Sequence, residues 1–106
     1  MEQFTLMIKF TATKENHVQF KEELLKLFAV IEGEDNFVSS VLHQNIQKPE
    51  EYLVYEVWND NIEHFMNVQM KKPLALEWEQ LLIDMDIKRD PAVYNPIGKF
   101  GAASNS

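Results

Sequence analysis

Apolar and polar side chains alternate along the first stretch of the chain. Phe4, Leu6, Ile8 and Phe10 are interleaved with the mostly polar set Thr5, Met7, Lys9 and Thr11. A period of two predicts a strand with one face toward a core. The period then lengthens. Phe20, Leu24, Leu27, Phe28 and Ile31 fall on one helical stripe, so an amphipathic helix follows. Thr13, ahead of Lys14-Glu15-Asn16, offers it a cap, and Gly33 offers a stop. From Phe37 to Ile46 the pattern is again that of a strand. Simple alternation puts Val38, Ser40 and Leu42 on one face and Phe37, Val41 and His43 on the other. The polar, proline-containing run Gln47-Lys48-Pro49-Glu50-Glu51 predicts a hairpin turn into a third strand.

That third strand, Tyr52-Leu53-Val54-Tyr55-Glu56-Val57-Trp58, is apolar on both sides. Tyr52, Val54, Glu56 and Trp58 share one face, and Leu53, Tyr55 and Val57 share the other. A strand of this kind needs cover on both faces. Beyond it, Asn59 or Asp60 can cap a short helix carrying Ile62, Phe65 and Met66. Pro73 suits the start of another helix, whose apolar stripe is Leu74, Trp78, Leu81, Leu82 and Met85. Asp90-Pro91 ends it. Ala92 to Phe100 predicts a fourth strand, which Pro96 and Gly98 confine to an edge or a bulge. Residues 1–100 then form a single domain, and 101–106 a loose polar tail.

The order β-α-β-β-α-α-β predicts an α+β fold: an antiparallel four-stranded sheet with helices on one face, as in ferredoxin-like folds. The helices leave the second apolar face bare. A second copy of the chain is its simplest cover, so a homodimer with sheet packed on sheet is expected. Burying about 400 Å² of apolar surface per subunit would contribute on the order of 10 kcal/mol before association costs.

Composition narrows the function. A chain of 106 residues with 45% hydrophobic side chains is expected to fold as one globular unit. The net charge of −7 repels phosphate backbones and argues against nucleic acid. The absence of cysteine excludes disulfides, thiolate catalysis and cysteine metal sites, and suits a reducing cytoplasm. Met1-Glu2-Gln3-Phe4 lacks the pattern of a signal peptide, and no run approaches the roughly 18 apolar residues of a membrane span. The chain carries neither a dinucleotide-binding glycine pattern nor a phosphate loop. His17, His43 and His64 lack metal-ligand spacing, and Ser39 and Ser40 sit mid-strand without a nucleophile elbow. No metal and no cofactor are expected.

The hairpin from Gln47 to Asp60 resembles the antibiotic biosynthesis monooxygenase family. Its members show a polar, often proline-containing turn, an aromatic-rich strand ending in Glu-x-Trp, here Glu56-Val57-Trp58, and then a polar helix start. The helix ending near Gly33 and the helix beginning near Pro73 extend the likeness over residues 4–100. The resemblance implies a dimeric α+β barrel with a cavity between sheet and helices. It also implies cofactor-independent oxidation of a quinol-type or polycyclic aromatic substrate by dioxygen. Many relatives carry a histidine on the short helix after the tryptophan. Here that place falls to Asn67, or to Gln69 when the alignment is anchored on Pro73, with His64 a little earlier. Haem degradation, known in a branch of the superfamily, would need an axial histidine on the later helix, and Leu74 to Asp86 contains none.

Oxygen chemistry without a cofactor needs an electron-rich substrate that can be deprotonated. The protein supplies an apolar pocket and one or two groups that take the proton or hold an oxyanion. Trp58, His64 and His43 are the candidate catalytic residues, and Glu56, Tyr55, Phe65 and Trp78 the candidate pocket. Each has a plainer reading. Trp58 is a core or interface aromatic, or a pocket wall whose indole N–H meets a substrate oxygen. Glu56 is one half of a structural pair, with a cation or hydroxyl, or a general base. His43 and His64 are solvated surface histidines, or line the pocket. His17 is expected at the surface. A dimer that binds a small apolar molecule without turnover is the alternative to an enzyme.

Overall fold

The computed structural model describes residues 2–101. Eight elements follow one another: β1 (Phe4–Thr11), α1 (His17–Ile31), β2 (Phe37–Gln44), β3 (Glu51–Trp58), α2 (Ile62–Asn67), a 3-10 turn (Gln69–Lys71), α3 (Pro73–Asp84) and β4 (Lys88–Tyr94). The strands form one antiparallel sheet in the order β2-β3-β1-β4. The expected α+β, ferredoxin-like sheet with helices on one face is what forms.

Local chemistry sets the boundaries. Thr13 and Asn16 exchange hydrogen bonds: Asn16 N–H donates to Thr13 Oγ1 (3.1 Å) and Thr13 N–H to Asn16 Oδ1 (2.9 Å). The pair satisfies two amides that a helix start leaves free. Asn16 Nδ2 also donates to the Met85 carbonyl (2.6 Å) and ties this turn to the end of α3. Asn61, one residue later than expected, caps α2 by accepting from His64 N–H (2.8 Å). Pro73 occupies the first turn of α3, where its missing N–H costs nothing.

Two expectations fail for definable reasons. The helix stripe was expected to run to Asp90-Pro91, with a strand from Ala92 to Phe100. Instead α3 ends at Asp84, Asp86 turns left-handed (φ 55°), and β4 already starts at Lys88. Pro91 lies inside β4, opposite Ile8. It is tolerated because β4 is an edge strand and pairs with β1 alone. On β2 the register shifts between Phe37 and Ser39. This bulge turns Phe37 to the helix side, against Trp58, and leaves Ser39, Val41 and His43 on the far side. Of the expected tail 101–106, only Gly101 lies within the described residues.

The core fills the space between sheet and helices in two neighbouring clusters. Phe10, Phe20, Leu24, Phe28, Tyr52, Val54 and Leu82 form one, and Phe4, Leu6, Trp58 and Phe65 the other. The opposite sheet face is different. Thr5 and Val57 are buried there, but Val41 (49%), Leu53 (38%), Tyr55 (38%) and Tyr94 (53%) are open in the single chain. Among the described residues no helix is long and apolar enough to cross a membrane.

Candidate active site

The alternation of β3 sends Glu56 and Trp58 into the helix-covered layer together. There a cavity of ≈ 80 Å³ opens between the elements. Its floor is Leu6, Ile8 and Phe10 of β1, Glu56 and Trp58 of β3, and Arg89 of β4. Leu27, Phe28 and Ile31 of α1 close one side, and Phe65, Gln69, Met70, Leu74, Ala75 and Trp78 the other. Most of these groups are apolar, so the polar ones stand out.

Glu56 is 5% exposed and Trp58 2%. The indole Nε1–H of Trp58 donates to Glu56 Oε1 at 2.9 Å. Trp58 is itself held edge-on by Phe37 and Phe65, with ring centroids 5.3 and 5.0 Å away. In the sheet Glu56 lies between Leu6 of β1 and Ser40 of β2. No cation pairs with it among the described residues. Burial therefore dominates and raises its pKa from 4.5 to about 7, and the Trp58 hydrogen bond offsets only part of that rise. Among the described residues, the buried side-chain atom left without a partner is His17 Nδ1. Glu56 Oε2 also lacks a hydrogen-bond partner but is not fully buried, and Glu56 lines the cavity. A carboxyl that titrates near neutrality in an apolar space is equipped to take up and release a proton.

Two further polar residues reach the cavity. Arg89 makes a forked ion pair with Glu79 of α3, with Nη2 to Oε2 at 2.9 Å. Gln69 donates from its amide nitrogen to Glu34 Oε1 (3.0 Å), and Glu34 Oε2 takes Lys72 Nζ at 3.3 Å.

The candidate residues separate cleanly. Glu56, Trp58, Phe65 and Trp78 converge on the cavity. His43, opposite Leu53, is exposed on the other face of the sheet, as is Tyr55, opposite Met7 and Val41. Alternation along the strand puts both out of reach of Glu56. His64 points outward from α2, and its Nδ1 lies 2.9 Å from Asp60 Oδ1. The expected cation or hydroxyl partner of Glu56 is instead the Trp58 indole, which is therefore not free to meet a substrate oxygen. His17 is half-buried, not at the surface. Of the two residues that could stand at the place of the relatives' histidine, Gln69 lines the cavity and Asn67 is exposed. Arg89 went unnoticed in the sequence, because its segment was read as the end of a helix. Among the described residues there is no cluster of three metal-ligating side chains.

Comparisons with known proteins agree with this architecture. The family model described as antibiotic biosynthesis monooxygenase matches residues 3–68. No curated protein matches the chain. A Deinococcus radiodurans protein, provisionally assigned to the same family, superposes with a TM-score of 0.81 at 15% identity, over 95% of this chain and 99% of that one. SnoaB, a cofactor-independent oxygenase from Streptomyces nogalater, superposes with a TM-score of 0.79 at 16% identity, over 96% and 100%. A conserved protein from Methanosarcina mazei gives 0.75 at 19% identity, over 90% and 93%. At these identities the likeness establishes a shared fold.

Proposed function

The chain belongs to the antibiotic biosynthesis monooxygenase family, and from that premise we propose that it is a cofactor-independent monooxygenase of a small quinol, with Glu56 as general base. The observation that carries this reading is the Glu56 carboxyl, buried and pushed up to about 7, with one oxygen unpartnered, in the lining of an apolar cavity. Above about pH 7 it is ionised and accepts a proton from a quinol hydroxyl. The Trp58 N–H holds the carboxylate in place and favours its charged form. The quinolate left behind is electron-rich enough to give electrons to dioxygen directly. The balance is one quinol and one dioxygen in, one hydroxyquinone and one water out. The apolar walls keep bulk water from the intermediate.

Size supports a small substrate. An engineered cavity of about 150 Å³ takes up benzene. A cavity of ≈ 80 Å³, walled partly by Met70 and Leu74, suits one ring with modest rearrangement better than a large polycycle.

The same reading includes a homodimer. Val41, Leu53, Tyr55 and Tyr94 share the open sheet face, and a second copy would cover them. His43 and Tyr55 would then belong to the interface.

Oxygen uptake with a panel of reduced quinones, with and without a chelator, tests the proposal. Turnover that survives chelation and collapses in Glu56→Gln supports it. No turnover on any quinol, or strict dependence on metal, overturns it. The alternative, a dimer that binds such molecules without converting them, predicts ligand-induced changes at Trp58 and no product.

A further inference from the structure

Which groups of the cavity are still free to meet a ligand decides what the ligand must bring. The Arg89 guanidinium is engaged by Glu79 through both terminal nitrogens. The Trp58 indole is engaged by Glu56. Gln69 is engaged on one side only. Glu34 Oε1 accepts from its amide nitrogen, and Glu34 Oε2 accepts from Lys72 Nζ. With the nitrogen turned to Glu34, the acceptor end of the amide is left over. Its carbonyl oxygen has no hydrogen-bond partner among the described residues and is not fully buried. Glu56 Oε2 is in the same condition on the cavity floor.

The cavity thus offers two unengaged acceptors, one on β3 and one on the 3-10 turn, among mostly apolar walls. Acceptors inside a mostly apolar cavity discriminate between ligands, because one lacking the matching donor leaves them unpaired. We infer that Gln69 is a specificity-determining residue: its carbonyl oxygen reads a second hydroxyl of a dihydroxy aromatic whose first hydroxyl lies at Glu56. Glu34 is the positioning residue that keeps the carbonyl turned toward the ligand, and Lys72 holds Glu34 in place. This rests on the proposed role of Glu56, but the two assignments are separable by experiment.

Three ligands of nearly one size form the test: hydroquinone, 4-methylphenol and 1,4-dimethylbenzene, with two, one and no hydroxyls and a methyl in place of each one lost. Binding is followed without oxygen through the indole N–H signals of Trp58 and Trp78. The preference for 4-methylphenol over 1,4-dimethylbenzene reports Glu56, and the preference for hydroquinone over 4-methylphenol reports Gln69. The expected wild-type order is hydroquinone, 4-methylphenol, 1,4-dimethylbenzene. Gln69→Met should remove the second preference, a loss of about fivefold to tenfold in hydroquinone affinity, and leave the first intact. Glu34→Ala, which frees the amide to turn, should weaken the second preference by a smaller factor at an unchanged melting temperature. That ratio between ligands would not move if Gln69 only supported the fold. An unchanged hydroquinone preference in Gln69→Met overturns the role of Gln69 while sparing Glu56. A wild type that binds all three equally, or none, overturns both.

Discussion

The two faces of this sheet are made from the same strands and differ in what meets them. On the helix side β3 presents Tyr52, Val54, Glu56 and Trp58, all of them buried. On the other side the same strand presents Leu53 and Tyr55, each 38% exposed. Hydrophobicity alone does not separate the faces, since both are rich in apolar side chains. What separates them is the helical layer, which closes over one and leaves a cavity with a carboxyl in it. An ionised carboxylate in such a space is costly, and here it is supported by a single indole N–H. The open face carries its charges toward one end, with Lys9 paired to Glu51 and Lys88 and Asp90 beside them, while Val41, Tyr55, Val57 and Tyr94 lie toward the other. The closed face carries a destabilising group suited to chemistry, and the open face carries adhesive groups suited to association.

The sharpest way to break this comparison is Glu56→Gln. Turnover should fall at least about 100-fold, because a general base contributes that much or more. Stability should move the other way. The folded-state pKa is raised from 4.5 to about 7, so the folded state holds its proton where the unfolded state has lost it. Wild-type stability therefore declines as pH rises from about 4.5 to about 7, by roughly 3 kcal/mol at most. Glu56→Gln removes that decline. In urea titrations it should be more stable than wild type by about 2 kcal/mol near pH 8, and the advantage should vanish near pH 4. A variant less stable at both pH values would contradict the assigned cost.

Next in size is the open face. Tyr55→Asp should lower the affinity between subunits at least about 100-fold, because a charge would be buried in the proposed contact. Sedimentation should then show a monomer where the wild type is expected to be a dimer. A wild type that is monomeric at micromolar concentration would remove the role given to this face.

Trp58→Phe is a finer probe. It keeps most of the ring packing against Phe37 and Phe65 but deletes the donor to Glu56. Since that hydrogen bond lowers the Glu56 pKa, its loss should shift the rising limb of the pH–rate profile to higher pH. The stability cost should be about 1–2 kcal/mol. The smallest effects belong to the histidines outside the cavity. His64→Ala breaks only a surface contact with Asp60, and should change turnover less than about twofold and stability by about 0.5 kcal/mol or less.

Much of this was legible in the residue pattern, and the failures have physical causes. The period-two runs of β1 and β3 and the helical stripes of α1 and α3 locate the sheet, the helices and the core, because burial imposes those periods. Glu56 and Trp58 were visible as a pair because residues two apart on a strand share a face. Phe65 and Trp78 were visible from helical spacing. Strand parity already sets Tyr55 apart from Glu56, and the hairpin register puts His43 on the side of Tyr55. Parity itself was misread at Phe37, where one extra residue in β2 reverses the face, and no composition signal marks the bulge. Arg89 was hidden by reading Asp90-Pro91 as a helix end, when an edge strand can carry a proline. Gln69 had no periodic signal, since it lies in a 3-10 turn between two helices.

The central claim is that a carboxyl on the closed face takes the proton that starts the reaction. The most direct test is the pH dependence of kcat/KM for quinol oxidation in wild type and in Glu56→Gln. The expected wild-type profile rises through a pKa of about 7 and then levels, as Glu56 ionises. The expected variant profile is flat and at least about 100-fold lower. A wild-type profile without that rise, or a variant that turns over within about twofold of wild type, would contradict the role of Glu56.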